Sequence, residues 1–266
     1  MMHSAILSGH YLPNDTPIHR LNPRAKIISF FTLLAVVIIT RSTVGYTALG
    51  LLLLSLAHLS KTGPRIVFSG IRRVGLFLLL IFLMNALFFN GDRPLWEYAF
   101  FHISVGGIAQ GANVALKVIF LMALSSILMT TTTPMEITDT FAWLLSPLQR
   151  LRIPVHDFAL MISIAIQFIP VLAEESETII KAQTARAAKL DSPKLREKAN
   201  ALLPLVLPIF ISAFRRADEL ALAMEARGFR GGKFRTRKSS PGFTRLDFAA
   251  LTISIAFCAA AVILHR

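Results

Sequence analysis

Two arginines stand in a repeated setting. Ala182-Gln183-Thr184-Ala185-Arg186-Ala187 and Ala223-Met224-Glu225-Ala226-Arg227-Gly228 both fit A-x-x-A-R-[AG], and the two stretches lie 41 residues apart. A guanidinium carries five donors in a fixed fork and cannot lose its charge, so its chemistry is recognition of carboxylates and carbonyls. At 100° per residue, Arg227 shares a helix face with Ile209, Ala213, Leu220 and Ala223, and Arg186 shares one with Leu172, Ile179 and Ala182. Each arginine therefore ends an apolar stripe, with small residues beside it that let another surface come close. A long arginine set in a pocket is the side chain expected to dominate an interface. The local alternative is a favourable charge at a helix C-terminus, worth about 0.3–1 kcal/mol. Repetition in matched register favours recognition, by a partner with two equivalent pockets. The expected docking residues are Ala185, Arg186, Ala187, Ala226, Arg227 and Gly228.

The repeat extends backwards with reversed charge. Glu174 and Glu175 precede Arg186 by twelve and eleven residues, and Arg215 and Arg216 precede Arg227 by the same intervals. If the two helices cross at this level, the acidic pair faces the basic pair. The local alternative is an i,i+4 pair between Arg215 and Glu219.

Other reactive constellations are missing from the sequence. It contains no G-x-x-x-x-G-K-[ST], no H-E-x-x-H and no G-x-S-x-G. The membrane-protease pattern E-E-x-x-x-R starts at Glu174-Glu175 but meets Ile179 where it needs arginine. His156-Asp157 is a lone pair at a helix start. Cys258 is the one cysteine, so neither an internal disulfide nor a cysteine metal site can form. His3, His10 and His19 are scattered through a polar arm. The expectation is a non-catalytic protein without cofactor or resident metal.

The elements that must position the arginines belong to a membrane protein. Of the 266 residues, 54% are hydrophobic and only 16% charged, against about 25% in soluble domains, and the mean hydropathy is +0.61. The net charge of +13 sits between and after apolar runs, which the positive-inside rule explains better than nucleic acid does. Residues 1–23 are polar and lack the apolar core of a signal peptide. Spans are expected from about Pro23 to Thr40, Val44 to Leu59, Val74 to Phe89, Ile108 to Thr130 and Phe248 to Leu264. Trp96, Tyr98 and Phe101 suit an interfacial belt before the fourth. Arg20, Arg24 and Lys26 in the arm, and Lys61, Arg65, Arg72 and Arg73 in the second loop, put both on the cytoplasmic side.

Between Thr131 and Arg245 the pattern becomes mixed. Thr133, Pro134 and Glu136 open a helix to about Arg150 as cap, first turn and N3 residue. Two helices of over 30 residues follow, His156 to about Ala188 and Pro193 to Arg227, each apolar first and polar later, with a kink or a locally broken hydrogen bond expected at Pro170, Pro204 and Pro208. Phe158 to Leu172 is short for a span and is expected along the membrane boundary or packed beneath the spans. Gly228, Gly231 and Gly232 close the third helix, and a basic linker leads to the last span. The fold expected is an all-α membrane protein of about five transmembrane helices plus a cytoplasmic domain of three helices, two of them long. Its segments are 1–130, 131–245 and 246–266. Lys117, a charge inside the fourth span, is expected to pair within the bundle or snorkel, although a transporter working alone also places charges there.

At these stretches the sequence resembles the T component (EcfT) of energy-coupling-factor importers. His19-Arg20-Leu21-Asn22-Pro23-Arg24-Ala25-Lys26 is similar to the family's H-R-L-D-P-R-x-K, with Asn22 in place of the usual Asp. Thr132-Thr133-Pro134, Pro154-Val155-His156, Phe168 to Glu175 and Arg216 to Phe229 match further family stretches, and Ala187 replaces the glycine common after the first motif arginine. The resemblance implies that the two arginine-tipped helices dock on two cytoplasmic ABC ATPase subunits. It also implies that the membrane part holds a substrate-binding S component for vitamin uptake, in a prokaryotic plasma membrane with a cytoplasmic N-terminus. A cobalt or nickel importer subunit and a stand-alone secondary transporter are the alternatives.

Overall fold

The computed structural model describes residues 16–61, 64–88, 94–98, 101–151, 153–186, 195–229, 231 and 242–265. The helices are α1 (Pro23–Ile39), α2 (Thr43–Leu59), α3 (Pro64–Phe88), α4 (Val105–Thr131), α5 (Pro134–Leu144), α6 (Val155–Ala185), α7 (Leu195–Ala226) and α8 (Arg245–His265), with a 3₁₀ turn at Ser146–Leu151. A two-stranded antiparallel ribbon, β1 (Pro94–Tyr98) and β2 (Phe101–Ser104), interrupts this otherwise helical chain and pairs Trp96 with Ile103 and Tyr98 with Phe101. The protein is a helical membrane protein. Gly106–Thr131, Val155–Ala185 and Arg245–Ile263 are long and apolar enough to cross a bilayer, and Thr43–Leu59 and Val74–Phe88 are shorter apolar helices.

Four boundaries differ from the sequence expectation. The third helix begins at Pro64, not near Val74, so Arg65, Arg72 and Arg73 are helical. Arginine is a good helix former and proline suits the first turn, so charge alone did not end the helix. The β1–β2 ribbon is a departure from the all-α expectation, in the stretch where only an aromatic belt was expected. The fifth helix stops at Leu144, because Ser146-Pro147 brings a residue with no amide to donate, and the chain continues as a 3₁₀ turn. Phe158–Leu172 is part of one 31-residue helix that qualifies as a span by length and composition. Pro170, Pro204 and Pro208 all lie inside uninterrupted helices.

Two compact units emerge, one containing α1–α4, the ribbon and α8, the other running from Thr138 to Ser240. In the first, Leu33, Leu53, Leu124 and Ile127 form one buried cluster, and Val36, Val37 and Leu49 a second, with Phe120 and Phe257 packed against both. Between α3 and α4 the backbones nearly touch. A Cβ on Gly107 would lie 2.9 Å from the Asn85 carbonyl oxygen, and one on Gly111 3.0 Å from that of Phe82. This Gly-x-x-x-Gly spacing permits close helix approach where lipid offers no hydrophobic gain.

The helix ends of this unit are closed by side chains from elsewhere in it. Asn22 caps α1 by accepting from the Arg24 amide (3.0 Å). Thr244 and Asp247 form a capping box at the start of α8: Asp247 Oδ2 accepts from the Thr244 amide (2.6 Å) and hydroxyl (2.8 Å). Its Oδ1 accepts from the Asn22 amide (2.7 Å), tying the last helix to the first. Asp247 is fully buried. Lys26, also buried, donates to the His19 carbonyl (3.1 Å) and to the Thr131 carbonyl at the end of α4 (2.8 Å). At the other end of α1, Lys117 donates to the Ile38 carbonyl (2.7 Å) and Tyr46 Oη to that of Thr40 (2.9 Å).

Asp247→Ala leaves two amides and a hydroxyl without their acceptor and removes a buried charge beside Lys26. Its expected cost is on the order of 3 kcal/mol. Asp247→Asn is expected to fare little better, because its amide NH₂ must face donors. Thermal unfolding of the detergent-purified chain, followed by circular dichroism, checks both.

Candidate functional site: two arginine-tipped helices

The second unit is built around α6 and α7. Their interiors are long helical runs, and their polar ends carry the repeated motif. Arg186 is the C-cap residue of α6, its amide donating to the Gln183 carbonyl (3.1 Å). Arg227 follows α7 directly, and its amide donates to the Ala223 carbonyl (3.2 Å). Both arginines therefore occupy the same place in their helices.

The end of α7 is a Schellman closure. The Gly228 amide donates to the Glu225 carbonyl (2.8 Å) and the Phe229 amide to that of Met224 (3.0 Å). Gly228 has φ +76°, the left-handed conformation this closure needs and a side chain resists. The end of α6 has no such closure among the described residues. Arg186 has φ −86° and ψ 15°, and Ala187 lies outside the described residues, as do Gly232 and most of the basic linker.

Arg186, Arg227, Ala185, Ala226 and Gly228 are all exposed. Along the stripes behind them the exposure changes: Leu172 and Ile179 on α6, and Ile209, Ala213 and Leu220 on α7, are half-buried, whereas Ala182 and Ala223 in the last turns are exposed. The apolar halves also present large exposed side chains, among them Phe158, Met161 and Ile162 on α6, and Val206, Phe210 and Phe214 on α7.

Of the four charges expected where the helices meet, the structure brings two together. Arg216 Nε donates to Glu175 Oε2 at 2.9 Å, and the Ser212 hydroxyl donates to Glu175 Oε1. Ser212 and Arg216 are one turn apart and present one face of α7 to a single carboxylate. Two donors bonded to the charged form hold that carboxylate ionised. The Glu175 side chain is 25% exposed and that of Arg216 41%, so this is a partly screened contact that sets register more than it adds stability. Glu174 and Arg215 point elsewhere: both are exposed, and no ion pair joins them. A step of one residue turns a side chain by about 100°, so only one member of each adjacent pair can face the neighbouring helix. Arg215 makes no ion pair with Glu219 either. Glu177 and Lys181 form an exposed i,i+4 pair at 2.8 Å.

Ser212 was not anticipated as a partner. Its signal in the sequence is its position, four residues before Arg216 on the same face. Asp247 was missed as well, although Thr244-Arg245-Leu246-Asp247 before an apolar run is a capping-box pattern. Of the scattered histidines, His3 and His10 lie outside the described residues, and His19 is hydrogen-bonded to Thr16 (2.6 Å).

From the Glu175–Arg216 contact, each arginine tip lies eleven residues further along its own helix. That is about 16 Å at 1.5 Å per residue. Two arms of equal length thus leave one crossing, each ending in an exposed guanidinium. What the arrangement offers is a pair of exposed, cationic contact points.

Glu175→Arg places two cations at the crossing and is expected to raise amide hydrogen exchange severalfold around Ser212–Arg216. Combining it with Arg216→Glu is expected to return exchange to near the wild-type rate. The corresponding reversals at Glu174 and Arg215 are expected to leave it unchanged. Hydrogen exchange read by mass spectrometry on the full chain measures all four.

Comparison with known proteins agrees along almost the whole chain. Residues 14–238 match the family model described as CbiQ, cobalt transport protein. The chain is 38% identical over 259 residues to the energy-coupling factor transporter transmembrane protein EcfT of Bacillus subtilis, covering 97% of each. It is 38% identical over 250 residues to that of Brevibacillus brevis, covering 94% of each. To the protein of the same name from Heliobacterium modesticaldum it is 39% identical over 250 residues, covering 94% of this chain and 93% of the other.

Proposed function

Since this chain belongs to the CbiQ family, as a T component of an energy-coupling factor transporter, we propose that it is the mechanical link between two cytoplasmic ABC ATPases and a substrate-binding S component in vitamin uptake. The observation that carries this reading is the pair of equal arms. Arg186 and Arg227 end two packed helices at equal distances from a shared ion pair, exposed and flanked by small residues. Two equivalent tips suit two equivalent subunits, each with a pocket that offers acceptors to a guanidinium. Ala185, Ala187, Ala226 and Gly228 are the small neighbours that let each pocket close around its arginine.

In this reading the chain performs no hydrolysis. Nucleotide binding brings the two ATPases together, the tips move with them, and the arms carry the movement as rigid bodies because the Glu175–Arg216–Ser212 contact holds the crossing in register. The apolar halves of α6 and α7 and the exposed faces of the spans then meet the S component, with glycine, alanine, serine and threonine allowing close approach. The N-terminus, the second loop and the two arginine tips lie on the cytoplasmic side of a prokaryotic plasma membrane, the side on which lysines and arginines gather.

Lys117 supports this reading over a transporter that works alone. Its ammonium is committed to the Ile38 carbonyl, which gives it a structural task at the end of α1.

Arg186→Glu or Arg227→Glu puts a carboxylate where acceptors await a cation, and each is expected to weaken ATPase capture by about tenfold or more, as loss of a hot-spot arginine does. The double change is expected to abolish it. Pull-down of the ATPase subunits by tagged chain, with membrane insertion checked in parallel, is the measurement. Capture by the double variant at wild-type yield overturns the proposal.

A further inference from the structure

The first unit contains a half-open cavity of about 250 Å³ that the coupling role leaves unused. Its walls come from the arm, α1, α2, α4 and α8; Phe30, Leu33, Leu56, Leu124, Ile127 and Ala250 are representative. An apolar cavity of about 150 Å³ already stays dry and takes up a hydrocarbon ring. This one is larger and opens within a membrane protein, where alkyl chains are the surrounding solvent.

The few polar groups on its wall are bonded chiefly within the unit, Ser29 through a long hydrogen bond from Ser254 (3.5 Å). Lys26 donates to the carbonyls of His19 and Thr131. The Thr131 hydroxyl donates to the Ile127 carbonyl (2.8 Å), and that of Ser254 to the Leu251 carbonyl (2.9 Å). A vitamin or any other polar solute would leave its own donors and acceptors unsatisfied against such a wall, at a cost it does not recover. A run of methylenes satisfies the cavity fully.

Cations adjacent in sequence to its lining residues specify the other end of the ligand. The cavity lies where α2 and α4 end and α8 begins: Leu59, Thr131 and Leu246 all line it. Lys61 is two residues beyond Leu59 and Arg245 one residue before Leu246, and both side chains are exposed. At Lys61 the backbone turns left-handed, with φ 49°, directly after α2. By the distribution of lysine and arginine this is the cytoplasmic end of the helices, where anionic headgroups gather.

We propose that this cavity is a binding site for one anionic glycerophospholipid, an acyl chain filling the space between α1, α2, α4 and α8 while Lys61 and Arg245 meet its phosphate. The site is independent of the arginine tips. It makes the lipid a structural part of the unit whose helix ends Lys26 and Asp247 close.

The test uses the full chain purified in detergent and incubated with phosphatidylglycerol or phosphatidylcholine of the same chain length, with retained lipid counted by native mass spectrometry. Wild type is expected to hold one phosphatidylglycerol, with roughly fivefold or greater preference over phosphatidylcholine, the scale that one to two surface cations confer. Ala250→Phe, which fills the cavity, is expected to lose retention of both lipids. Lys61→Glu with Arg245→Glu leaves the cavity walls intact and is expected to lose the preference while keeping the chain. Equal retention by wild type and Ala250→Phe overturns the site. Equal retention of the two lipids by wild type overturns the headgroup assignment. Should Ala250→Phe fail to fold, absence of a retained lipid on wild type is itself decisive against the proposal.

Discussion

A helix that ends among apolar side chains leaves amides and carbonyls that water cannot reach, and the chain must satisfy them itself. That constraint organises the unit of α1–α4 and α8. Lys26 serves the end of α4, Asp247 the start of α8 and the amide of Asn22 before α1, Lys117 and Tyr46 the far end of α1. Each of these side chains is polar or charged in surroundings that penalise both, and each is retained because the alternative is an orphaned backbone group. The consequence is a bundle whose helices are fastened at their ends. The apolar lengths between are left to pack by shape: the Gly107 and Gly111 approach on one side, the Leu33 and Val36 clusters on the other.

The same chemistry runs the opposite way in the Thr138–Ser240 unit. There the ends of α6 and α7 project, and the residues placed on them are the two arginines. A side chain of like type closes a neighbour's helix end in one unit and is offered outward in the other. What distinguishes the cases is the partner: Lys26 and Lys117 have found carbonyls within the unit, whereas Arg186 and Arg227 stand exposed behind alanines too small to cover them. The last turn of α7 is held by a Schellman closure in which Gly228 turns left-handed. The two tips are equivalent in register.

Much of this could be read in the sequence, for identifiable reasons. The first, second, fourth and last of the expected spans are dominated by apolar residues, so the limits of those helices emerge within a few residues. The capping box at Thr133 and Glu136 is local, and the structure makes both of its bonds, at 2.9 and 3.3 Å. The start of α3 was hidden because three arginines look like a loop to a reading based on charge, while a helix accepts them readily. The β1–β2 ribbon had only scattered aromatics to announce it. The crossing was legible to within one residue, since spacing identifies two adjacent acids and two adjacent bases but not which of each pair faces inward. That choice depends on the rotation of one helix against another. Asp247 was harder still: its decisive bond joins residues 225 apart in sequence, and no local pattern reports it.

Where the Glu175–Arg216 contact sits explains why a partly exposed ion pair is worth keeping. Such a pair adds little to stability on its own. A hydrophobic contact at the same point would hold the helices together but would let them slide, because apolar side chains accept several registers. One carboxylate receiving both Arg216 and Ser212, one turn apart, admits a single register. With each tip eleven residues away, a slip of one residue at the crossing would displace one tip by about 1.5 Å and rotate its arginine by about 100°. A polar crossing with apolar arms on either side is thus the arrangement that lets length and orientation be set together.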